Sequence, residues 1–142
     1  PSGNSVAALN MVRLSEITGN TSMHKKAQET FDFTGKSGVS NPINYALLLC
    51  AYMTNLKGIM SIVIAGDKSD PQTLSLLKTI NDKYLPFSVV LLNDESTKIK
   101  KLLPSIIGKL KVNEKVTAYV CKDFSCKAPV TSQEDLIKLI NK

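Results

Sequence analysis

From Asn41 to Gly58 the chain reads NPINYALLLCAYMTNLKG, and apolar residues fall on almost every side of the helix that this stretch predicts. Asn41-Pro42 supplies a capping residue followed by proline at the first helical position, and Gly58 supplies a stop. A helix that is apolar nearly all round has to be covered on several faces. Cys50, in the middle of it, reads as a small buried hydrophobe. The first helix has the same character through Val6, Ala7, Ala8, Leu9, Met11, Val12, Leu14 and Ile17, with Asn4 or Ser5 to cap it and Gly19 to end it. Between them, a helix from about Ser22 to Phe33 is amphipathic, with Ala27, Thr30, Phe31 and Thr34 on one stripe; Gly35 to Gly38 reads as a loop. Two nearly all-apolar helices and one amphipathic helix cannot satisfy one another alone. The expectation is therefore a fragment: three helices cut from a larger array, the carboxy-terminal end of a longer protein whose helical side is truncated. Bare helical faces predict that such a fragment self-associates.

The pattern changes near Lys57-Gly58. Ile59 to Ala65 (IMSIVIA) is a continuous β-rich apolar run, as expected for a strand covered on both faces. Asp70-Pro71 starts a helix with Leu74, Leu77, Ile80 and Tyr84 on its stripe, broken before Pro86. Phe87 to Leu92 (FSVVLL) is a second strand, and a helix follows near Thr97 to Leu103, interrupted by Pro104. Val116 to Val120 is a third strand, and Thr131-Ser132-Gln133-Glu134 is a capping-box pattern ahead of a last helix through Leu136, Ile137, Leu139 and Ile140. Strands alternating with helices predict a mainly parallel sheet. The fold class is thus α/β, with a helical segment over 1–57 and a small three-stranded, mainly parallel βαβαβα unit over 58–142.

Charge narrows the partners. The net charge is +6, yet of the 18 basic residues only Arg13 is an arginine, and no basic–aromatic interleaving appears. Lysines scattered among acids read as a solvated surface, so no nucleic acid is expected as a partner. The longest purely apolar run, Tyr45 to Met53, is nine residues, against about 20 for a membrane span, so no membrane is expected either. The expected location is cytoplasmic.

The residues that carry chemistry are few. His24 is the only histidine, which excludes a Ser-His-Asp or Cys-His-Asn set. The helical part has only Glu16, Glu29 and Asp32 as acids, so no pair of carboxylates for glycoside chemistry is visible. No catalytic residue, metal ligand set or cofactor is assigned. Cys121 and Cys126, five positions apart across a loop, read as reduced structural thiols or as a disulfide or dithiol pair whose pKa values Lys122 and Lys127 would lower; two thiols are too few for structural zinc. Were all three strands parallel, Gly66-Asp67, Asn93-Asp94 and Cys121 would share the rim where α/β sheets bind ligands. Asp67 and Asp94 are the candidates there, with turn and cap duty as the plain alternative.

Two stretches, PSGNSVAALNMVRLSEITGN at the start and TAYVCKDFSCKAPVTSQEDLIKLI at the end, resemble the last part of the thioredoxin-domain-containing, spermatogenesis-associated-protein-like family. The resemblance implies a parent with an amino-terminal thioredoxin-like domain joined to a six-hairpin α/α toroid, the fold of N-acylglucosamine 2-epimerases and several glycosidases. Those missing domains would be the partners of this chain. In such a toroid, helix ends facing the cavity line the ligand site, so Ser2, Asn4 and Ser5 would either bind a sugar-like small molecule or simply cap the helix. Two functions follow as expectations: part of a carbohydrate-related protein with no complete active site here, or a non-catalytic interaction or thiol-redox regulatory module. Whether the parent is an enzyme stays open.

Overall fold

A computed structural model describes residues 2–122 and 125–141, and of residues 36–39 it describes the backbone. The chain divides into two compact units, Pro1–Ile59 and Met60–Lys142. No helix among the described residues is long and apolar enough to cross a membrane.

The first unit is helical. Helix α1, Gly3–Thr18, begins at Ser2, whose side chain caps Ser5 N–H, and ends at Gly19 in the left-handed region at φ 70°, with its N–H on the Ser15 carbonyl. Helix α2 runs Thr21–Ser40 and so continues through Gly35 to Gly38, where a loop was expected. Glycine weakens a helix by about 1 kcal/mol relative to alanine but keeps its N–H, so the hydrogen-bond ladder survives it as it would not survive proline. Asn41-Pro42 opens a turn of 3-10 helix, Pro42–Tyr45, before α3 takes over at Ala46–Lys57 and stops at Gly58, φ 70°.

Helix α1 packs against both α2 and α3. The side chains turned inward are mostly small: Ser5, Ala8 and Val12 from α1, Ala27 and Thr34 from α2, Ala51 and Thr54 from α3, with Leu48 and Phe31 as the larger pieces. Phe31 meets Tyr52 edge to face, ring centroids 5.4 Å apart. Leu14, Phe33, Ile43, Met53 and Leu56 are exposed. Cys50 is exposed as well, contrary to its expected burial. Leu48, Ala51 and Thr54 set the inward stripe of α3, and two residues past Leu48 a helix has turned about 200° away.

The second unit is α/β. Four strands among the described residues form one sheet in the order β2-β1-β3-β4: β1 Met60–Ala65, β2 Ser88–Asn93, β3 Thr117–Lys122 and β4 Ser125–Cys126. Strand β1 pairs in parallel with β2, as expected, but antiparallel with β3, and β4 is an added hairpin strand. The expected three-stranded, mainly parallel arrangement is therefore replaced by a mixed sheet of four.

The connections explain this. A parallel return must carry the chain back the length of a six-residue strand, about 20 Å. Helix α4, Pro71–Asn81, covers about 16 Å of this in its 11 residues, and the turns on either side of it supply the rest. Helix α5, Thr97–Leu102, has six residues and about 9 Å before Pro104 diverts the chain into a 3-10 turn. The chain then re-enters the sheet at the same end of the strands at which β2 left it, on the far side of β1.

Helix α6, Gln133–Ile140, lies beside α4. Ile62 and Ile64 of β1, Ala118 and Val120 of β3, Leu76 and Ile80 of α4, and Leu136 and Ile140 of α6 form the main core. The opposite face of β1 carries Val63 and Ala65, also fully buried. The inner stripe of α4 is thus Thr73, Leu76 and Ile80; Leu74 and Tyr84, expected on it, are exposed. The cap of α6 is Ser132, accepting from Asp135 N–H, one residue on from the Thr131–Glu134 pairing of the sequence pattern.

Candidate functional site

Three sets of residues were singled out, and the fold treats them differently. Asp67 and Asp94 follow β1 and β2 and do share one rim, which Thr117 at the start of β3 completes. Cys121 does not belong to it. Because β3 is antiparallel, Cys121 pairs with Ser61 at the opposite end of the sheet.

The rim is a set of closed local hydrogen bonds. Asp67 accepts from Ser69 N–H at 2.7 Å and from the Ser69 hydroxyl. Asp94 accepts from Ser96 N–H at 3.0 Å. The Ser69 hydroxyl, then the Ser69 N–H, hold the Asp67 carboxyl below its ordinary value, and the Ser96 N–H does the same for Asp94. Lys68 adds a smaller pull on both. A general acid needs its pKa moved the other way, so these two carboxylates are suited to turn and cap duty.

Asn93, almost fully buried between them, donates from Nδ2 to the Lys109 carbonyl at 2.6 Å and accepts Glu95 N–H at 3.0 Å. Behind it Gly66 is closed off: a β-carbon there would collide with the Thr73 hydroxyl and stand 3.0 Å from Val116 Cγ1. The sequence placed Asn93 on this rim only as the neighbour of Asp94, and Thr73 lies in no motif that would have marked it.

At the start of α1, Ser2 and Ser5 spend their hydroxyls on each other. Ser2 Oγ and Ser5 Oγ are 2.8 Å apart, Ser2 Oγ accepts Ser5 N–H at 3.2 Å, and Ser5 is buried. Asn4 is exposed. The capping role of Ser2 is present in the geometry, with the Ser5 side chain buried against it.

Cys121 and Cys126 are brought together as a disulfide across the β3–β4 hairpin. Lys127 N–H bonds to the Val120 carbonyl at 3.0 Å, so the next cross-strand pair is the hydrogen-bonded one. The cysteines then occupy a non-hydrogen-bonded pair, where facing side chains come closest; their Cα atoms are 3.9 Å apart. Cys121 is buried, 8% exposed, whereas Cys126 is exposed. Beyond the hairpin the strand continues along β3, with Ala118 and Val130 exchanging hydrogen bonds of 2.7 and 3.0 Å. The register leaves Ala128 and Pro129 together opposite Tyr119, a bulge that accommodates a proline lacking its N–H. Among the described residues no group of three or more His, Cys, Asp or Glu could hold a metal ion.

No family model matches the chain, and no solved structure matches it. Among curated proteins it is 28% identical over 143 residues to spermatogenesis-associated protein 20 of Homo sapiens, covering 99% of this chain and 18% of that protein. The proteins of the same name from Rattus norvegicus and Mus musculus are each 27% identical over 143 residues, with the same coverage. The chain spans less than a fifth of the length of the curated relatives it matches, and along that span it is similar to spermatogenesis-associated protein 20.

Proposed function

We propose that residues 60–142 form a non-catalytic regulatory module of a longer protein, and that Cys121 and Cys126 are its reversible thiol pair. The observation that carries this reading is the asymmetry of the pair: an exposed Cys126 bonded to a buried Cys121 on the hairpin that closes one edge of the sheet. An incoming thiolate attacks the Cys126 sulfur, forms a mixed disulfide with it and expels Cys121 as a thiolate. A second thiol then displaces Cys126, and the two cysteines together take up two electrons and two protons. Lys122 and Lys127, adjacent in sequence, favour the anionic sulfur. In a cytoplasmic setting the pair rests as thiols and closes when the compartment is oxidised.

The test uses the 142-residue chain carrying C50S, since Cys50 is a free, exposed thiol. It is equilibrated with glutathione buffers of graded ratio, then acid-quenched, alkylated and weighed. The expected result is a two-electron transition, with C121S trapping glutathione on Cys126 at least about tenfold faster than C126S traps it on Cys121. Both sulfurs alkylated in air, or equal trapping at the two, would sink the reading.

The helical unit supports a second reading, as terminal helices of a larger helical array such as the toroid that the resemblance implies. Its support is the pattern of small residues inside and large apolar ones outside: Leu14, Phe33, Ile43, Met53 and Leu56 are exposed. The chain by itself then self-associates through these residues. Sedimentation at rising concentration tests it, and a monomer throughout would contradict it. A sugar site at Ser2, Asn4 and Ser5 receives less support, because Ser5 is buried and Ser2 caps the helix.

A further inference from the structure

The positive charge of the chain is not spread as a count of its lysines suggests. In the connection between β2 and β3, residues 94–116, six lysines, all within 97–115, stand against three acids, Asp94, Glu95 and Glu114, a surplus of three in a chain of net charge +6. The same connection exposes Leu102 at 62%, Ile107 at 64% and Leu110 at 43%. On α5, Lys98, Lys101 and Leu102 are exposed and Ile99 is half-buried, so the helix has its charged and apolar outer residues at helical i, i+3 and i+4 spacing.

These side chains are presented by a fixed backbone. Ile106 is fully buried and anchors the 3-10 turn, leaving Ile107 outside. Asn93 Nδ2 donates to the Lys109 carbonyl at 2.6 Å, Tyr119 Oη to the Leu110 carbonyl at 2.6 Å, and Val112 N–H to Thr117 Oγ1 at 2.9 Å. Ile107 and Leu110 cannot turn into the core without breaking that frame. Of the lysines, Lys109 is turned to the Ser105 carbonyl and Lys111 stands 4.0 Å from Glu114; the rest give the surface its charge.

We propose that residues 97–115 of this connection are a docking surface for an anionic lipid bilayer, with Lys98, Lys100, Lys101 and Lys115 on the headgroups and Leu102, Ile107 and Leu110 entering the headgroup–acyl boundary. Charge complementarity names the partner as anionic. The exposed aliphatic side chains select a bilayer over a nucleic acid, since the segment has no arginine for phosphate forks and no aromatic for base stacking. Each lysine near an anionic bilayer contributes attraction that salt screens, and the aliphatic side chains add burial that salt leaves intact. The expectation that no membrane is a partner came from apolar run length, which concerns spanning; lying on a surface needs only this kind of mixed patch.

The experiment is co-sedimentation of the 142-residue chain with vesicles of phosphatidylcholine alone or with about 30% phosphatidylserine, at low and high salt. Binding is expected to the serine-containing vesicles and to fall steeply with salt. K98E/K101E is expected to weaken partitioning at least about tenfold, and L102S/I107S about tenfold through lost burial. Melting temperatures of both variants, whose changed residues are exposed, are expected to stay within a few degrees of the parent. No binding to anionic vesicles overturns the proposal. So does binding that L102S/I107S leaves unchanged, which marks a plain polyanion site. So does tighter binding to a single-stranded oligonucleotide or a poly-glutamate peptide than to the vesicles.

Discussion

Thr73 stands over Gly66 with its hydroxyl fully buried and, among the described residues, without a hydrogen-bond partner. The pair fastens the start of α4 to the end of β1. G66A is expected to lower stability by about 2–3 kcal/mol, because a methyl group has no space there. G66A/T73A recovers part of the loss, since the Val116 methyls still stand 3.0 and 3.1 Å from the new carbon. T73V, which removes the unsatisfied hydroxyl and keeps the shape, is expected to gain about 1 kcal/mol. Urea unfolding reads all three, and a G66A chain that unfolds at the parental midpoint would show the contact to be soft.

The turn Val112-Asn113-Glu114-Lys115 has φ of 51° at Asn113 and 60° at Glu114, and an isolated bridge joins its ends. Positive φ at both central positions is the type I′ hairpin turn, for which glycine is favoured at the second. E114G is expected to raise stability by about 0.5–1 kcal/mol, outweighing the exposed 4.0 Å contact with Lys111. A lower denaturation midpoint for E114G would mean that glutamate serves the turn in another way.

Asp67 and Asp94 both titrate below the ordinary 3.8 in the folded chain, through the Ser69 and Ser96 donors. Lowered folded-state values stabilise the fold above the unfolded value and lose that contribution as the pH falls through the folded ones. The contribution is therefore whole above about 3.8, and its loss is confined to the region below. Carboxyl carbon chemical shifts followed by NMR check it: S69A should move Asp67 back toward its ordinary value and leave Asp94 in place, and unchanged titration in S69A would remove the assigned cause.

Reduction of the Cys121–Cys126 bond opens a ring spanning a separation of five residues. By the loop-entropy relation so small a ring stabilises by about 2 kcal/mol. C121S/C126S and the reduced parent are expected to melt at the same lowered temperature, by calorimetry. A reduced chain as stable as the oxidised one would leave the hairpin held by other contacts.

Local chemistry made several elements legible in the sequence. Asp70-Pro71 and the Gly19 and Gly58 stops act where backbone geometry and capping decide, and IMSIVIA was readable because β1 is covered on both faces. What failed depended on partners. Leu74 and Leu76 look alike in composition, and only the direction of the sheet buries Leu76. The reversal of β3 followed from the shortness of α5, whose consequence appears only when its reach is compared with a strand. The same reversal removed Cys121 from the rim. The spacing of the two cysteines marked them as candidates, but a hairpin register was needed to make them neighbours. The lysine surplus between β2 and β3 was present in the sequence and was lost by averaging over the whole chain.

The mixed sheet also has a temporal side. Strand β1 lies between β2 and β3, yet both neighbours are made after it, and its antiparallel partner starts only at Thr117. At ribosomal rates of about 5–20 residues per second, the stretch from Gly66 to Val116 takes about 3–10 s to emerge. Through that interval Ile62, Val63 and Ile64, all fully buried at the end, have one edge of their strand open. The newborn chain therefore passes through a window in which this apolar β-rich segment stands open before its own fold can cover it.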